Sequence, residues 1–507
     1  MITLNLREAA EYAAAQREIA RLKAQASRTE RRSFQAGVVN RLTSDWMTSL
    51  TSTRSELRQY LRNIRARSRD LARNNDYLKK FLRMVVTNVI GPRGIKLQVR
   101  VADSDSTLTA ELDGVLASEV EKAFKKWGKK KTCTASGKLS WTGVQRLFIR
   151  TIARDGEVLI QKMRVSRKEN PFGFSLRFVD VSWLDETHNQ LLPNGNRIVM
   201  GVEVDQYDRP QAYWLTPPAD EYTYPGAMAG GQAARNRTRV PAEEFIHAFL
   251  IDDENQTRGL PWAHTAMLRT KMLGGYEEAE LVAARVGACK GGFLKPSADK
   301  PYDGEEPDTT IEQVEPGMIQ ELPPGYEWVT YDPTHPNTNF VGFVKGILMG
   351  VAAGLEVTYT SLTGDLSEVN FSSIRAGLLE ERDLWRTLQH FVEEELCDEV
   401  YAGWLEAAFL TGALEITADD LARIQEPTWQ PRGWSWVDPL KDVEASVTAI
   451  NNGLGTRTQV LGEQGTDFED TVKTLAKEQQ LLKANGVEIA SNQPAKANAG
   501  DQKAPAD

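Results

Sequence analysis

Asp252, Asp253 and Glu254 are consecutive, and three adjacent carboxylates could gather a divalent ion for a metal-dependent nuclease. The plainer reading of the triplet is a solvated acidic turn ahead of a helix beginning at Leu260. Asp365, with Glu368 three residues on, suits a turn or helix-end role better than catalysis. The five histidines, His188, His247, His264, His335 and His390, show no HxxxH, HxH or Cys/His spacing that would mark a metal centre. Neither a GxSxG elbow nor a P-loop occurs, and the nearest imitation, GACKGG at Gly287–Gly292, lacks the spacing of a phosphate cradle. Cys133, Cys289 and Cys397 are odd in number and far apart. They make neither a disulfide framework nor a zinc ribbon and read as free or buried thiols in a reducing cytosol. No constellation supports catalysis, no cofactor or metal is implied, and the weight moves to assembly and mechanics.

The elements that could position any such residues come from a chain of 507 residues, longer than one core supports, so two or three lobes are expected. The most apolar run, Val341 to Leu355, carries Lys345 and is shorter than the roughly 20 residues of a bilayer crossing, so no membrane role is expected. The N-terminus lacks the basic start and apolar block of a secretion signal, and nothing argues for export. The total charge is −9, but residues 1–100 hold 21 Lys/Arg against 8 Asp/Glu. Taking that +13 from the total leaves −22 for the remainder. The basic part could meet nucleic acid, an acidic partner or a neighbouring subunit, while the acidic body argues against a tight grip on DNA.

Residues 1–30 carry little bulky apolar material and read as a mobile or partner-ordered helix. From Ser55 to Gly91 a helical period runs through Leu57, Leu61, Ile64, Leu71, Leu78, Leu82 and Val85, interrupted near Asn74–Asn75. GIKLQVRV alternates as a strand. Helices follow over 108–130 and from Ser140 to Gly156, and then β-rich segments to about residue 250. A helix is expected from Leu260-Pro261 to about Ala288, with Gly274-Gly275 as a possible kink. Residues 291–337 are dense in Pro, Gly and acid and should form short strands and turns. The chain returns to helix near Thr338, where Gly342, Gly346, Gly350 and Gly354 recur every four residues. Each interior glycine costs about 1 kcal/mol relative to alanine. The row therefore implies close approach of another helix, either within the chain or from a second copy. A polar stretch after Leu355 leads to a long helix near Ser372-Ser373, a Trp/Pro-rich linker from Pro427, and shorter helices at about 441–453 and 466–485. The tail should be disordered.

The block from Pro316 to Glu380 resembles the lambda-like portal proteins of tailed bacteriophages. The resemblance is carried by Pro316-Gly317-Met318-Ile319, Leu322 to Tyr326 with Pro324-Gly325, Ala352 to Leu355, Tyr359 to Asp365, and Asn370 to Glu380. Phe371 stands where tyrosine is usual, and Tyr326 interrupts a PGE-like turn. RSRDLARNNDYLKKFLRMVVTNVIGPRGIKLQ, RDGEVLI, LRFVDVSWLD and TRGLPWAHTAMLRTKMLGGYEEAELVAA extend the likeness over much of the chain, though not to the first thirty residues or the tail.

The resemblance implies an α+β portal fold, mainly helical, assembled as a ring, dodecameric in the usual case. Its parts would be a mobile N-terminal helix (1–30), a wing (31–258), a first stem helix (259–290), a clip (291–337), a second stem helix (338–354), a tunnel loop (355–371), a long wing helix with linker (372–440), a crown (441–490) and a tail (491–507). The ring would sit at one capsid vertex, with double-stranded DNA passing through it during packaging and ejection. Implied partners are the terminase large subunit, head-completion or connector proteins, and capsid and scaffold proteins. The location would be the virion, and the host cytoplasm during assembly. Pro316, Gly317, Pro324 and Gly325 would belong to the terminase-facing clip, and the four glycines to stem packing. In the tunnel loop, Thr358, Thr360, Ser361, Thr363, Ser367 and Asn370 would offer hydrogen bonds to phosphates, with no Lys or Arg between Leu355 and Ser373. Competing readings are the nuclease and another capsid-associated structural protein.

Overall fold

A computed structural model describes residues 13–21, 23, 41, 52–99, 101, 107–216, 237–288, 292–296, 326–330, 339–367, 369–434 and 439–486. The chain divides into two units, residues 1–52 and residues 53–507. The first shows a helical run over 13–21. All that follows concerns the second.

Helix α1 (Thr53–Asn74) is separated from α2 (Asp76–Val89) by Asn75, whose side chain accepts the Leu78 N–H. The break in the hydrophobic period is thus a helix stop and a new cap. Strand β1 (Lys96–Val99) follows, then α3 (Thr107–Trp127), a single turn α4 (Lys130–Cys133), and α5 (Trp141–Asp155). Ser140 caps α5, and Gly156 ends it in the left-handed region at φ 89°. A side chain on Gly156 would strike the backbone of Gly259 and Leu260, so this glycine serves close approach as well as conformation.

Strand β2 (Glu157–Arg164) pairs with β3 (Phe174–Val179) on one side and β9 (Phe245–Phe249) on the other. Between them β4 (Gln190–Leu191), β5 (Arg197–Val199), β6 (Val202–Val204), β7 (Pro210–Leu215) and β8 (Thr238–Pro241) form an antiparallel meander. Every ladder between the described strands is antiparallel, without the parallel pairing of βαβ units, which is α+β architecture.

Helix α6 (Met267–Ala288) starts six residues later than Pro261 suggests. The intervening stretch is used for packing: the Trp262 backbone N–H donates to the Ala153 carbonyl, and Gly259 presses on Gly156. Gly274 and Gly275 lie within an unbroken helix. Strands β10 (Gly292–Pro296) and β11 (Tyr326–Thr330) pair antiparallel; the segment between them lies outside the described residues, and with it Pro316, Gly317, Pro324 and Gly325.

Helix α7 (Phe340–Gly354) leads to a short α8 (Tyr359–Thr363) and then α9 (Phe371–Val392). A π-turn over Glu393–Asp398 joins α9 to α10 (Glu399–Leu410) without a break. Helix α11 (Ala418–Arg423) precedes β12 (Pro427–Gln430), which returns to pair with β1. Part of the Trp/Pro-rich linker is therefore a strand. The chain continues through α12 (Pro439–Asn451), α13 (Arg457–Glu463) and α14 (Phe468–Ala484), of which α13 has no counterpart in the sequence reading.

The main core joins α2, α5, β2, α7, α9 and α10, with Trp127, Phe148, Tyr401 and Trp404 among its fully buried side chains. Where the sheet meets α1, Glu157 is fully buried. Its carboxylate accepts from Arg258 Nη2 at 2.6 Å, Arg65 Nη2 at 2.5 Å and the Gly259 N–H at 3.2 Å, and lies 2.9 Å from His247 Nε2. Burial alone would push this carboxyl up, but Arg258 and Arg65 overcome it and hold it well below the usual carboxylate range. This knot clamps α1, β2, β9 and the approach to α6 together.

Candidate functional site

The segment between α7 and α9 is built from its flanks inward. The glycine row on α7 splits into two halves. A side chain at Gly350 would collide with the Arg269 guanidinium, and one at Gly354 would meet Thr265 Oγ1 at 3.1 Å and Ala266 Cβ at 3.3 Å. Thr265 also donates to the Gly354 carbonyl at 2.9 Å. For Gly342 and Gly346, by contrast, nothing among the described residues lies within 4 Å of an added side chain. Beside them Val341, Phe343 and Met349 are exposed apolar side chains. Intrachain crossing thus accounts for the second half of the row and leaves the first half uncovered.

At the end of α7 the chain turns through Glu356, a non-glycine residue in the left-handed region at φ 56°. The Val357 N–H returns to the Ala352 carbonyl, and Leu355 and Val357 are buried, which is the hydrogen-bond and apolar pattern of a helix C-terminus. The next residue, Thr358, caps α8 by accepting the Ser361 N–H at 3.2 Å. Leu362 is fully buried and Gly364 ends the turn at φ 82°. The stretch read as open loop therefore contains one capped helical turn.

Glu381, on α9 and buried, fastens this turn. One carboxylate oxygen accepts the Thr358 N–H at 2.6 Å, and the other accepts the Ser361 hydroxyl at 3.0 Å. The remaining polar side chains are likewise engaged within the chain. Thr360 lies 3.2 Å from the Thr358 hydroxyl, and Thr363 donates to the Tyr359 carbonyl at 2.8 Å. Ser367 donates to Asp365 at 2.6 Å, and Asn370 caps α9 by accepting the Ser373 N–H at 2.9 Å. The cap of α9 is thus Asn370, not Ser372 or Ser373. The six residues expected to offer hydrogen bonds outward are brought together, with most of those bonds spent on shaping the segment.

Charge reaches the segment from elsewhere in the fold. Lys345, from α7, lies 6.0 Å from the centre of the Tyr359 ring, and a side chain on Gly364 would meet Lys80 Nζ at 3.4 Å. Ser367 hydrogen bonds hold Asp365 below the usual carboxylate range, with the Tyr359 hydroxyl adding to them. Sequence reasoning missed Glu381, Lys345 and Lys80 because none lies in the segment itself. Two clefts flank it, one of about 440 Å³ lined by Glu356, Glu380 and Glu381 among others, and one of about 330 Å³ between α8 and the start of α9.

The acidic triplet has the geometry of a turn. Asp253 accepts from Thr53 at 2.7 Å, and the N–H groups of Asp252 and Asp253 share the Gln256 side-chain oxygen. Among the described residues no three His, Cys, Asp or Glu side chains converge as metal ligands would. Cys133 and Cys397 are buried and unbridged. No helix among the described residues is long and apolar enough to cross a membrane.

The model of phage portal proteins of the lambda family matches residues 39–389. A probable portal protein of Halomonas phage phiHAP-1 is 34% identical over 431 residues, spanning 84% of this chain and 81% of that protein. Portal protein B of Escherichia phage lambda is 23% identical over 460 residues, spanning 83% of this chain and 84% of that protein. Among solved structures, a chain in the virion of a native gene transfer agent particle is similar at TM-score 0.43 and 10% identity, covering 78% of this chain and 93% of that one.

Proposed function

This chain belongs to the lambda family of phage portal proteins, and from that premise we propose that it works as one copy of a closed ring at a capsid vertex, a dodecamer on the family pattern. Portal function itself follows from membership. In this reading α6 and α7 are stem helices, residues 355–371 border the channel, and residues 291–337 form the clip that meets the terminase and later the head-completion proteins. The sheet-bearing body and α9 form the wing, and α12 to α14 the crown, facing capsid and scaffold. The protein acts as a conduit and platform in the virion, not as an enzyme.

The observation that carries the ring is the split glycine row. Gly350 and Gly354 are covered by the neighbourhood of α6, while Gly342 and Gly346 lie bare beside exposed Val341 and Phe343. Backbone-deep approach by a helix of a second copy would cover that half and recover the roughly 1 kcal/mol that each helical glycine costs.

The segment at 355–371 fits loose contact with DNA. Its hydroxyls and amide are largely engaged internally, and its own sequence holds no Lys or Arg, so passing phosphates would meet few fixed partners beyond Lys345 and Lys80 at its flanks. Each strong phosphate ion pair would add affinity to be released at every step of translocation. Electron microscopy of purified protein tests the whole reading. Closed rings with a central hole are expected; monomers or filaments would overturn it and return a lone nuclease or an unringed capsid component to consideration.

A further inference from the structure

Beyond the basic N-terminal region, the acidic body carries a strongly basic run that the portal reading does not use. Residues 122–131 contain six lysines and no carboxylate. Lys125, Lys126, Lys129, Lys130 and Lys131 are all exposed, and none of these side chains has a hydrogen-bond or ion-pair partner among the described residues.

The fold adds a second basic run from a distant part of the chain. Arg167 and Lys168 sit in the turn between β2 and β3, exposed and likewise without partners among the described residues. Buried Asn170 donates to the Thr132 carbonyl at 2.9 Å, and Ser175 donates to the same oxygen at 2.9 Å. This joint lies one residue from Lys131 and two from Lys168. The backing is rigid, because Trp127 is fully buried and donates its indole N–H to the Phe174 carbonyl at 2.9 Å.

Local structure accounts for only part of the cluster. Lys125 and Lys126 occupy the last turn of α3, where cations suit the helix dipole. Lys129 to Lys131 open α4 instead, where the dipole offers them nothing. Like charges so close repel one another, so the face favours an anion. Its make-up distinguishes which kind. Among the described residues no large exposed apolar side chain lies in sequence between Val115 and Leu191, the stretch that carries both basic runs, and exposed Leu410 adjoins it only through Thr411, beside Gly173 at the other end of the β2–β3 turn, so the runs themselves offer a protein partner no hot-spot anchor. Hydrated lysine point charges without such an anchor match a polyanion read only through its charge.

We propose that this face binds the phosphodiester backbone of duplex DNA, without sequence preference and separately from the segment between α7 and α9. The test is fluorescence anisotropy of the full-length protein with a mixed-sequence duplex over a salt series. Wild type should bind with an affinity that falls steeply as salt rises. Lys129→Gln/Lys130→Gln/Lys131→Gln should flatten the slope of log K against log salt by about 2 to 3, and Arg167→Gln/Lys168→Gln by about 2, at about 0.9 per phosphate contact. The triple Lys→Arg variant should keep the wild-type slope. Circular dichroism checks that all variants fold, which their exposure favours. Absent binding by wild type, or unchanged slopes in both glutamine variants, would overturn the proposal. So would glutamine variants that bind DNA normally but lose co-sedimentation with capsid shells, because that would assign the face to an acidic protein. Ring counts from electron microscopy are scored separately, so failure here leaves the ring reading standing.

Discussion

Glu381 and Thr358 are joined by a 2.6 Å hydrogen bond from the Thr358 backbone to a buried carboxylate, and that bond ties the segment after α7 to the long α9. The second oxygen of the same carboxylate holds Ser361. Replacing Glu381 with alanine should cost about 1–3 kcal/mol, since it removes two charge-assisted hydrogen bonds and leaves half-buried donors unpaired. Amide hydrogen exchange over residues 357–363 should accelerate while that of α2 and α5 stays slow. Unchanged exchange in that window would show that α8 is held by its apolar contact at Leu362 alone.

The two halves of the glycine row should respond differently to the same substitution. Gly354→Leu drives a side chain against Thr265 and the Cβ of Ala266 and should lower the melting temperature of the isolated chain, whereas at Gly350 the exposed Arg269 can swing aside. Gly346→Leu enters open space, so the chain should melt normally yet fail to form rings. Thermal scans paired with sedimentation velocity separate these outcomes, and intact rings from Gly346→Leu would reject the helix-contact assignment.

Glu157→Gln removes the carboxylate that both Arg65 and Arg258 contact, each almost fully buried; Arg65 keeps Glu186 at 2.7 Å, while Arg258 has no other ion-pair partner among the described residues. Stranding the Arg258 charge should cost about 3–5 kcal/mol. The pH dependence has a definite sign. A carboxylate whose folded pKa is depressed stabilises fully above its unfolded value near 4.5, and that contribution is lost as pH falls through the folded value. Wild type should therefore lose melting temperature steeply below about pH 4.5, and the variant should show a shallower acid limb. Parallel limbs would sink the assignment.

Glu393 lies in the π-turn with one carboxylate oxygen buried and unpartnered among the described residues. Burial pushes its carboxyl up to about 7, with His390 opposing and Asp398 and Glu394 reinforcing. A carboxyl raised in the folded state favours the protonated form, so its contribution to stability falls as pH rises from about 4.5 to 7. Glu393→Gln should raise the melting temperature by a few degrees at pH 8 and change little at pH 5. Calorimetry at both values measures the difference, and equal shifts would mean that the side chain stays charged throughout.

Local signals in the sequence were legible where local chemistry sets the outcome. The stop at Asn74–Asn75 is a cap made by Asn75 on its own neighbour Leu78, and the end of α5 is a glycine in a conformation that glycine favours. The family motif between Tyr359 and Glu380 likewise located the candidate segment. What stayed hidden depends on partners distant in the chain. Glu381 is 23 residues from Thr358 in sequence, and nothing in either neighbourhood announces the pairing. The delayed start of α6 arises because Gly259 must fit against Gly156, a contact across more than a hundred residues. The hydroxyl-rich composition of the segment looked available to an outside ligand, whereas the fold uses most of it for caps and turns.

The pairing of β1 with β12 has a consequence for how the protein comes off the ribosome. Gln98 and Gln430, hydrogen-bonded side by side, are 332 residues apart. At about 5–20 residues per second, β1 waits roughly 20–60 s after synthesis for the strand that completes it. Throughout that interval its edge is an open template for a neighbouring nascent chain. Late arrival of β12 thus lengthens the window in which a nascent chain is open to mispairing.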